Sequence, residues 1–555
     1  LTLVSRITGL GREMVAAHYL GTGTVASAFT VAFTIPNLFR KLFGEGALSA
    51  AFIPLYAQAV KREQDPSAVG EPETIQQSAN DFAAASVNLL CMILLALTLA
   101  GEAVLWAMIH FASARAGDDM LGRLLTLKFT AIMLPYVLLI CGTAFLGAIL
   151  QVHKRFGAPA AAPIILNVCH VAVVLIAAKM LHLHRGISDA STLQLQTKLA
   201  YWLSAFVLVA GAMQAAILLP SLKAAGFRFK PVLHVWTPSV RRMLKLTVPV
   251  AIGAGVLQLS VLLDKGISVL LMQDKDSGGH VVTHFSLLGH QIAYPMANGA
   301  PARLNLAQFL YQFPLGVFAI ALATAIFPNL SAVALDKDRE HFKRVLRQGI
   351  EATLFEGFAA SVGLILVREP AVKLLFEHGW VTAADATLIS RSVLFYSAAI
   401  WAFSLQQILN RAYYALHDTT TPLVMSVVTL GVNLMVEIPL VWTNLAEAGM
   451  AVGTLVSFAA QAVVMLYMLD RRLAGLGLGQ SARPVAKMFV ATVIMTAACL
   501  LVMKTPVFPH GETRVIWAIQ LMTVMGVGAA VYVGACAAMG VDTLNHLLPR
   551  RKRSS

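Results

Sequence analysis

The residues best placed to do chemistry are cations where cations are costly. Arg6 and Arg12 flank the glycines of SRITGLGRE (residues 5–13), and Arg40 lies in IPNLFRKLFGEGALSAAFIP (residues 35–54), in or beside stretches apolar enough to cross a bilayer. A cation at mid-membrane costs roughly 2.5–3.5 kcal/mol on insertion scales, so such residues face a wet cavity or a partner rather than lipid. The partner they ask for is an anion. Arg12 has Glu13 and Gly11 beside it, and Arg40 follows Pro36 and Asn37, which favours a cavity-facing anion site for both. Arg6 and Lys41 sit near helix ends, where snorkelling to the inner surface is the competing explanation.

A second constellation suits a cation. Asn433 and Glu437 are four residues apart, so a helix aims both side chains to one side. Asp264 is the candidate partner from an earlier span, and Thr454 adds a hydroxyl beside backbone carbonyls near Met450. Hard oxygen ligands suit a small cation such as Na+, and without one the two acids would repel or protonate. Lys265 competes as a neutraliser, although adjacent helical residues point about 100° apart. An ion pair that merely locks helices is the structural alternative. His280, His284 and His290 lack ligand spacing in a Gly-rich stretch and read as solvated loop histidines. No phosphate loop, nucleophile elbow or paired-carboxylate motif stands out.

The elements that must carry these groups follow from composition. The chain has 555 residues, 58% hydrophobic and 13% charged, with mean hydropathy +0.73; a soluble globule carries about 25% charge. It reads as an all-α polytopic membrane protein. The formal charge of +14 is spread over short loops, as a membrane protein collects it on one side, so nucleic-acid binding is disfavoured. The five cysteines lie in apolar runs without metal spacing and read as small core residues. The chain begins inside a span-like segment, so no cleavable signal peptide is expected.

Apolar runs long enough to span the hydrocarbon number about fourteen: 1–20, 24–58, 81–111, 123–151, 158–181, 199–221, 243–273, 304–334, 344–367, 389–416, 421–443, 446–469, 485–504 and 514–540. Lys and Arg number roughly 24 in the even-numbered connections plus the tail against about 11 in the odd ones, which places both termini in the cytoplasm. An internal repeat is visible: GALSAAFIPLYAQAV (46–60) matches ALATAIFPNLSAVA (321–334), and PYVLLICGTAFLGAILQVHKRFGAPAAAP (135–163) matches FYSAAIWAFSLQQILNRAYYALHDTTTP (395–422). An even number of spans per copy inserts both the same way up. The expected organisation is an N-lobe over 1–222, an interlobe linker at 223–242, a pseudo-symmetric C-lobe over 243–470, two further helices at 485–540 and a basic tail at 541–555. Two six-helix lobes facing a cavity suit a rocking transporter. A membrane enzyme acting on polyprenyl phosphates is disfavoured, because acidic clusters at a membrane face are missing.

The combination of SRITGLGRE, SAFTVAFTIPNLFRKLFGEGALSAAFIP, FLYQFPLGVFAIALATAIFPNLS (309–331) and RAYYALHDTTTP (411–422) resembles the MurJ (MviN) family of lipid II flippases, within the multidrug/oligosaccharidyl-lipid/polysaccharide exporter superfamily. The resemblance covers nearly the whole chain. It implies two lobes with a V-shaped cavity, two C-terminal helices forming a lipid-tail groove, and a non-enzymatic activity. That activity is moving undecaprenyl-diphosphate-linked disaccharide-peptide, lipid II, from the inner to the outer leaflet of a bacterial inner membrane. Carried over, Ser5, Arg6, Arg12, Asn37 and Arg40 match polar cavity positions. The chain departs at AQFLYQFP (307–314), where many members read approximately A-D-R-L-x-E-F-P: Gln308, Phe309 and Gln312 replace the charged residues. Gln308, Gln312 and the nearby Arg303 are the substrate candidates there. The resemblance also implies a sodium site, with Glu437 in place of an Asp. The alternative function is ion-coupled export of another lipid-linked saccharide or amphipathic compound.

Overall fold

Each apolar run falls on helix in the computed structural model, which describes residues 2–44, 47–64, 78–114, 120–183, 189–230, 235–276, 280–287, 289–335 and 338–541. The basic RRKR of the tail therefore lies outside the described residues. The chain forms two compact units, Leu1–Ala302 and Arg303–Ser555. The first holds α1 (Thr2–Leu20), α2 (Thr24–Phe39), α3 (Ala47–Gln64), α4 (Ala79–Ala114), α5 (Leu121–Met133), α6 (Tyr136–Val152), α7 (Gly157–Met180), α8 (Asp189–Ala224) and α9 (Pro238–Leu270). Two small antiparallel hairpins follow, β1 (Asp274–Lys275) with β2 (Val281–Val282) and β3 (His284–Leu287) with β4 (His290–Ala293). The second holds α10 (Ala300–Pro314, beginning just before the division), α11 (Ile320–Leu335), α12 (Arg339–Phe376), α13 (Ala383–Ala398), α14 (Ile400–Ala415), α15 (Thr420–Val441), α16 (Ala448–Arg472), α17 (Leu478–Met503) and α18 (Arg514–Ala538).

Among the described residues, nine helices are long and apolar enough to cross a membrane, or up to eleven if each of two bent pairs is one span. This makes the chain a multi-pass membrane protein. The fourteen runs of the sequence are not all matched by that test. The reason is visible in α1 and α2: Arg6, Arg12 and Glu13 interrupt the first, and a π-helical turn, Arg40–Gly44, interrupts the run through α2 and α3.

The repeat has a structural counterpart inside each unit. In the first, α2 runs into the π turn at Arg40–Gly44, with α3 next in the chain; in the second, α10 passes through a π turn at Leu315–Ala319 into α11. Each turn follows a proline, Pro36 or Pro314, whose missing N–H breaks the regular ladder and leaves the helix free to widen. The second repeated segment gives the bent pairs: α5 and α6 meet at 48°, α13 and α14 at 41°.

The division falls after α9 and the hairpins, later than the lobe boundary read from the repeat. Local packing explains it: α9 lies against α2, α3 and α4. Its C-terminal end is also tied back. Asp274, following α9, accepts from the backbone N–H groups of Gly122 (3.0 Å) and Arg123 (3.2 Å). It thereby caps α5, whose own N-cap residue Met120 supplies no side-chain bond. Arg123 in turn donates to the Leu270 carbonyl at 3.0 Å. His280, His284 and His290 sit exposed on this hairpin segment; His280 pairs with Asp276 at 3.2 Å.

In the second unit, α17 and α18 pack on α12 around Met488, Met495, Cys499, Val524 and Tyr532. The Tyr532 hydroxyl donates to the Phe355 carbonyl at 2.8 Å.

Candidate functional site

In the first unit the sequence places charge on α1, and the fold supplies its surroundings from α2, α6, α7 and α9. Arg12 donates to the Glu13 carboxylate at 2.6 Å and to Asn167 Oδ1 at 3.2 Å. Its guanidinium lies over the Phe33 ring, 5.4 Å from the centroid. Asn167 on α7 is held in place, since its Nδ2 donates to the Ser5 carbonyl at 3.2 Å and to the Thr8 hydroxyl at 3.1 Å. Arg12 is thus fixed on three sides, with both it and Glu13 largely buried. A guanidinium fork held this way presents its remaining N–H groups in the planar geometry that phosphate oxygens accept.

Arg40 belongs to the same neighbourhood. It and Arg12 both lie within electrostatic reach of the Tyr136 phenol, which donates to Gln214 at 3.0 Å. Arg40 stands at the start of the π turn and is half-buried. Asn37 differs from expectation: its Nδ2 donates to the Phe33 carbonyl of its own helix at 2.9 Å. Ser5 contributes through its carbonyl, as an acceptor for Asn167 and for Thr8 (3.1 Å). Arg6 is half-buried on α1.

Two residues of this cluster escaped the sequence reading, and a third was read there only as a neutraliser for the cation-site acids. Asn167 and His170 are three apart in an apolar run, a spacing that puts two isolated polar groups on one face of a span. His170 is buried, with neither ring nitrogen hydrogen-bonded, and packs edge-on to Phe29 (5.6 Å) and Phe33 (6.1 Å). Lys265 on α9 is the third. It is 5% exposed, its ammonium makes no hydrogen bond, and the carboxylates that act on it are Asp264 and Glu13.

The second unit engages its candidates in other ways. Arg303 is 3% exposed and grips Glu447 by two arms, Nε to Oε1 at 2.9 Å and Nη2 to Oε2 at 2.6 Å. Its Nη1 donates to Asp385 at 3.2 Å. Asp385 also closes the capping box with Thr382 at the start of α13, and Glu447 is the N-cap of α16. Arg303 therefore ties together the ends of α10, α13 and α16, so its fork is held by acids of the fold rather than presented as the substrate contact the sequence suggested. Gln308 donates to the Tyr396 hydroxyl at 3.0 Å, and Gln312 is exposed.

The oxygen-rich group on α15 and α16 is closely packed. Glu437 is 0% exposed and accepts from Asn433 Nδ2 at 3.0 Å. Ser457 donates to Asn433 Oδ1 at 3.4 Å, and Thr454 to the Met450 carbonyl at 3.0 Å. Gly453 makes this approach possible: a Cβ there would lie 2.8 Å from the Glu437 Cβ. One carboxylate with neutral oxygens around it fits a hard monovalent cation, although among the described residues no three His, Cys, Asp or Glu side chains form a metal cluster. Asp264, the carboxylate expected to complete the set, belongs to α9 of the first unit.

These features have counterparts in known proteins. The family model described as "Lipid II flippase MurJ" matches residues 16–513. A relative from Rhizobium tropici, named probable lipid II flippase MurJ, is 31% identical over 85% of this chain and 79% of its own length. One of the same name from Rhizobium meliloti (strain 1021) is 28% identical over 100% and 95%. The solved structure "Lipid II flippase MurJ, inward closed conformation" covers 96% of this chain and 98% of its own at TM-score 0.68 and 20% identity. An inward-facing multidrug resistance MATE family transporter of the MOP superfamily covers 85% and 95% at TM-score 0.60 and 13% identity. At those identities the structural likeness is one of fold, whereas the family model takes in α2 through α17 with both π turns and both bent pairs, and on that ground the chain belongs to the lipid II flippase MurJ family.

Proposed function

We propose that this protein is a flippase that carries lipid II, undecaprenyl-diphosphate-linked disaccharide-peptide, from the inner to the outer leaflet of a bacterial cytoplasmic membrane, with both termini in the cytoplasm. Family membership supports the reading, and one observation carries it to residues: Arg12 is largely enclosed in the first unit between Glu13, Asn167 and Phe33, with Arg40 in the same neighbourhood. A guanidinium inside a membrane bundle is costly and is a functional-site candidate by default, and Arg12, unlike Arg303, is held by one acid, an amide and a ring face. The substrate's diphosphate is the anion assigned to it here, and Arg12, Arg40 and, more weakly, Arg6 receive it. No bond of the substrate is made or broken, so the protein acts as a transporter rather than an enzyme.

Transport by alternating access needs a bias between two conformations, and only a ligand with different affinity for each supplies it. In our reading a cation such as Na+, held by Glu437, Asn433, the Thr454 hydroxyl and the Met450 carbonyl, biases the second unit. The packing of α17 and α18 on α12 leaves large apolar side chains such as Leu501 and Met522 exposed, which suits contact with a lipid tail.

Replacing a conditionally depleted lipid II flippase with this gene tests the function. Restored growth and cell shape are expected, and loss of both with Arg12→Ala plus Arg40→Ala at normal abundance. Rescue by the double variant would remove the arginines from the mechanism. Failure of the wild type at normal abundance would favour export of another lipid-linked saccharide, for which Phe309 in the tenth helix is the specific pointer.

A further inference from the structure

Near the middle of α12, a 38-residue helix apolar enough to cross the membrane, stands a carboxyl that the proposed transport chemistry leaves unused, Glu356. Ser404 of α14 donates to its Oε2 at 3.2 Å, while its Oε1 is buried without a hydrogen-bond partner. Among the described residues Glu356 enters no ion pair. Charges on the elements packed against α12 are committed elsewhere or exposed. Arg411 of α14 donates to the Thr324 hydroxyl at 3.0 Å and lies over the Phe327 ring, and Lys487 of α17 donates to the Met539 carbonyl at 2.5 Å. Asp385 of α13 is bound to Arg303, and Arg391, Arg483 and Arg514 are exposed. Tyr532 of α18 is within electrostatic reach of Glu356, but its hydroxyl is given to the Phe355 carbonyl. On α12 itself, Glu351 accepts from Ser481 at 2.6 Å and Arg368 donates to the Ile365 carbonyl at 2.7 Å. α11 and the π turn before it carry no charged residue.

An ionised carboxylate inside a span, with one hydroxyl donor and no counter-ion, is strongly unfavourable. A hard metal cation needs several oxygen ligands, whereas a proton needs a single acceptor. The pair with Ser404 serves both protonation states, because the carboxylate accepts from the hydroxyl and the neutral acid donates its own O–H to the same oxygen. The setting gives the proton something to control. Ser404 lies just past the 41° bend between α13 and α14. The Trp401 N–H, in the first turn of α14, donates to Ser361 Oγ of α12 at 3.1 Å. Gly357 lets the two helices meet, since a Cβ there would lie 2.8 Å from Trp401 Cα. α12 therefore holds the bend by two side chains, one of which can lose a proton.

We infer that Glu356 is a proton-binding site of the second unit, a neutral acid while α12 packs on the bend and a carboxylate once that seam opens to water. The proton comes from water and returns to it, and the carboxyl O–H bond is the only one formed or broken. This goes beyond the flippase reading and is separate from the Na+ reading at Glu437. Because the proton binds one arrangement of the seam better than the other, its occupancy biases the second unit between them.

The test is infrared spectroscopy of the full-length protein in lipid nanodiscs at neutral pH, joined to rescue of cells depleted of their own flippase. Wild type is expected to show the carbonyl stretch of a protonated carboxyl, and Glu356→Gln to lose it. Ser404→Ala removes only a hydroxyl and is expected to shift the same band, which covers the case in which Glu356→Gln does not fold. Glu356→Gln at normal abundance is expected to lose rescue, since its amide has no proton to release to water. An identical carboxyl band in wild type and Glu356→Gln, or a band unmoved by Ser404→Ala, would overturn the proton site. Full rescue by Glu356→Gln would overturn its control of the second unit. Failure of wild type to rescue, with the band behaving as expected, would overturn the flippase reading and leave the proton site standing.

Discussion

At the scale of single residues, the arginines of this chain divide by what holds them. Arg12 is held by an amide, a ring face and one carboxylate, a set that leaves it able to take an incoming anion. Arg303 is held by two acids at full fork geometry and is committed to the fold. Arg303→Met should therefore destabilise the protein by roughly 3–5 kcal/mol, the usual consequence of stranding a buried charge. Arg303→Met with Glu447→Leu should recover most of that in a thermal unfolding assay of detergent-solubilised protein. A single variant with unchanged stability but lost transport would return Arg303 to the substrate set. The sequence could show that charges sit in spans; it could not show which have partners. Glu447 and Asp385 are far from Arg303 in the chain, and nothing local announces their convergence. Asn167 and His170 were legible in principle, as polar residues three apart in an apolar run. Asn37 keeps its Nδ2 on its own helix, because a polar side chain after a helical turn has its own carbonyl at hand, here that of Phe33.

At the scale of elements, the repeat read from sequence resolves into a matching pair of devices in each unit, a π turn after a proline and a bent helix pair. The sequence could locate the prolines but not the π turns that follow them. The hairpin segment was wholly unforeseen as structure, since its strands are two to four residues long and surrounded by glycines. Its tie to α5 is testable. A Cβ at Gly122 would stand 2.7 Å from Asp274 Oδ1, so Gly122→Ala should destabilise by about 1–3 kcal/mol through overpacking and loss of the cap. An unchanged melting temperature would show that Asp274 does not cap α5.

A second cap sets a pH dependence. Asp418, between α14 and α15, accepts from the N–H groups of Thr420 and Thr421, the Thr421 hydroxyl and Arg472. Burial alone would raise its carboxyl, but the Thr421 and Arg472 contacts outweigh it and hold it below the ordinary carboxylate range. A lowered acid stabilises the folded state above its unfolded pKa, and that contribution is lost as pH falls through the lowered value. Stability should thus fall in acid more steeply in wild type than in Asp418→Asn, with no difference between their slopes near neutrality. Identical acid slopes would contradict the assignment.

At the scale of the whole molecule, composition and charge bias alone were enough for the class, because no soluble fold tolerates this hydropathy. Function is more finely set. If Glu437 and Asn433 hold a coupling cation, wild-type thermal stability should be higher in NaCl than in choline chloride, and Glu437→Gln should erase the difference; equal melting in both salts for wild type would remove the cation from the mechanism. The central claim, that partly buried arginines of the first unit carry a lipid-linked diphosphate across the bilayer, is tested most directly by the leaflet exposure of lipid II in cells depleted of their own flippase. An impermeant enzyme that cleaves lipid II only from outside should digest the precursor when wild type is expressed, and leave it protected when the Arg12→Ala, Arg40→Ala variant is expressed at equal abundance. Full digestion with the double variant, or protection with wild type, would contradict the account.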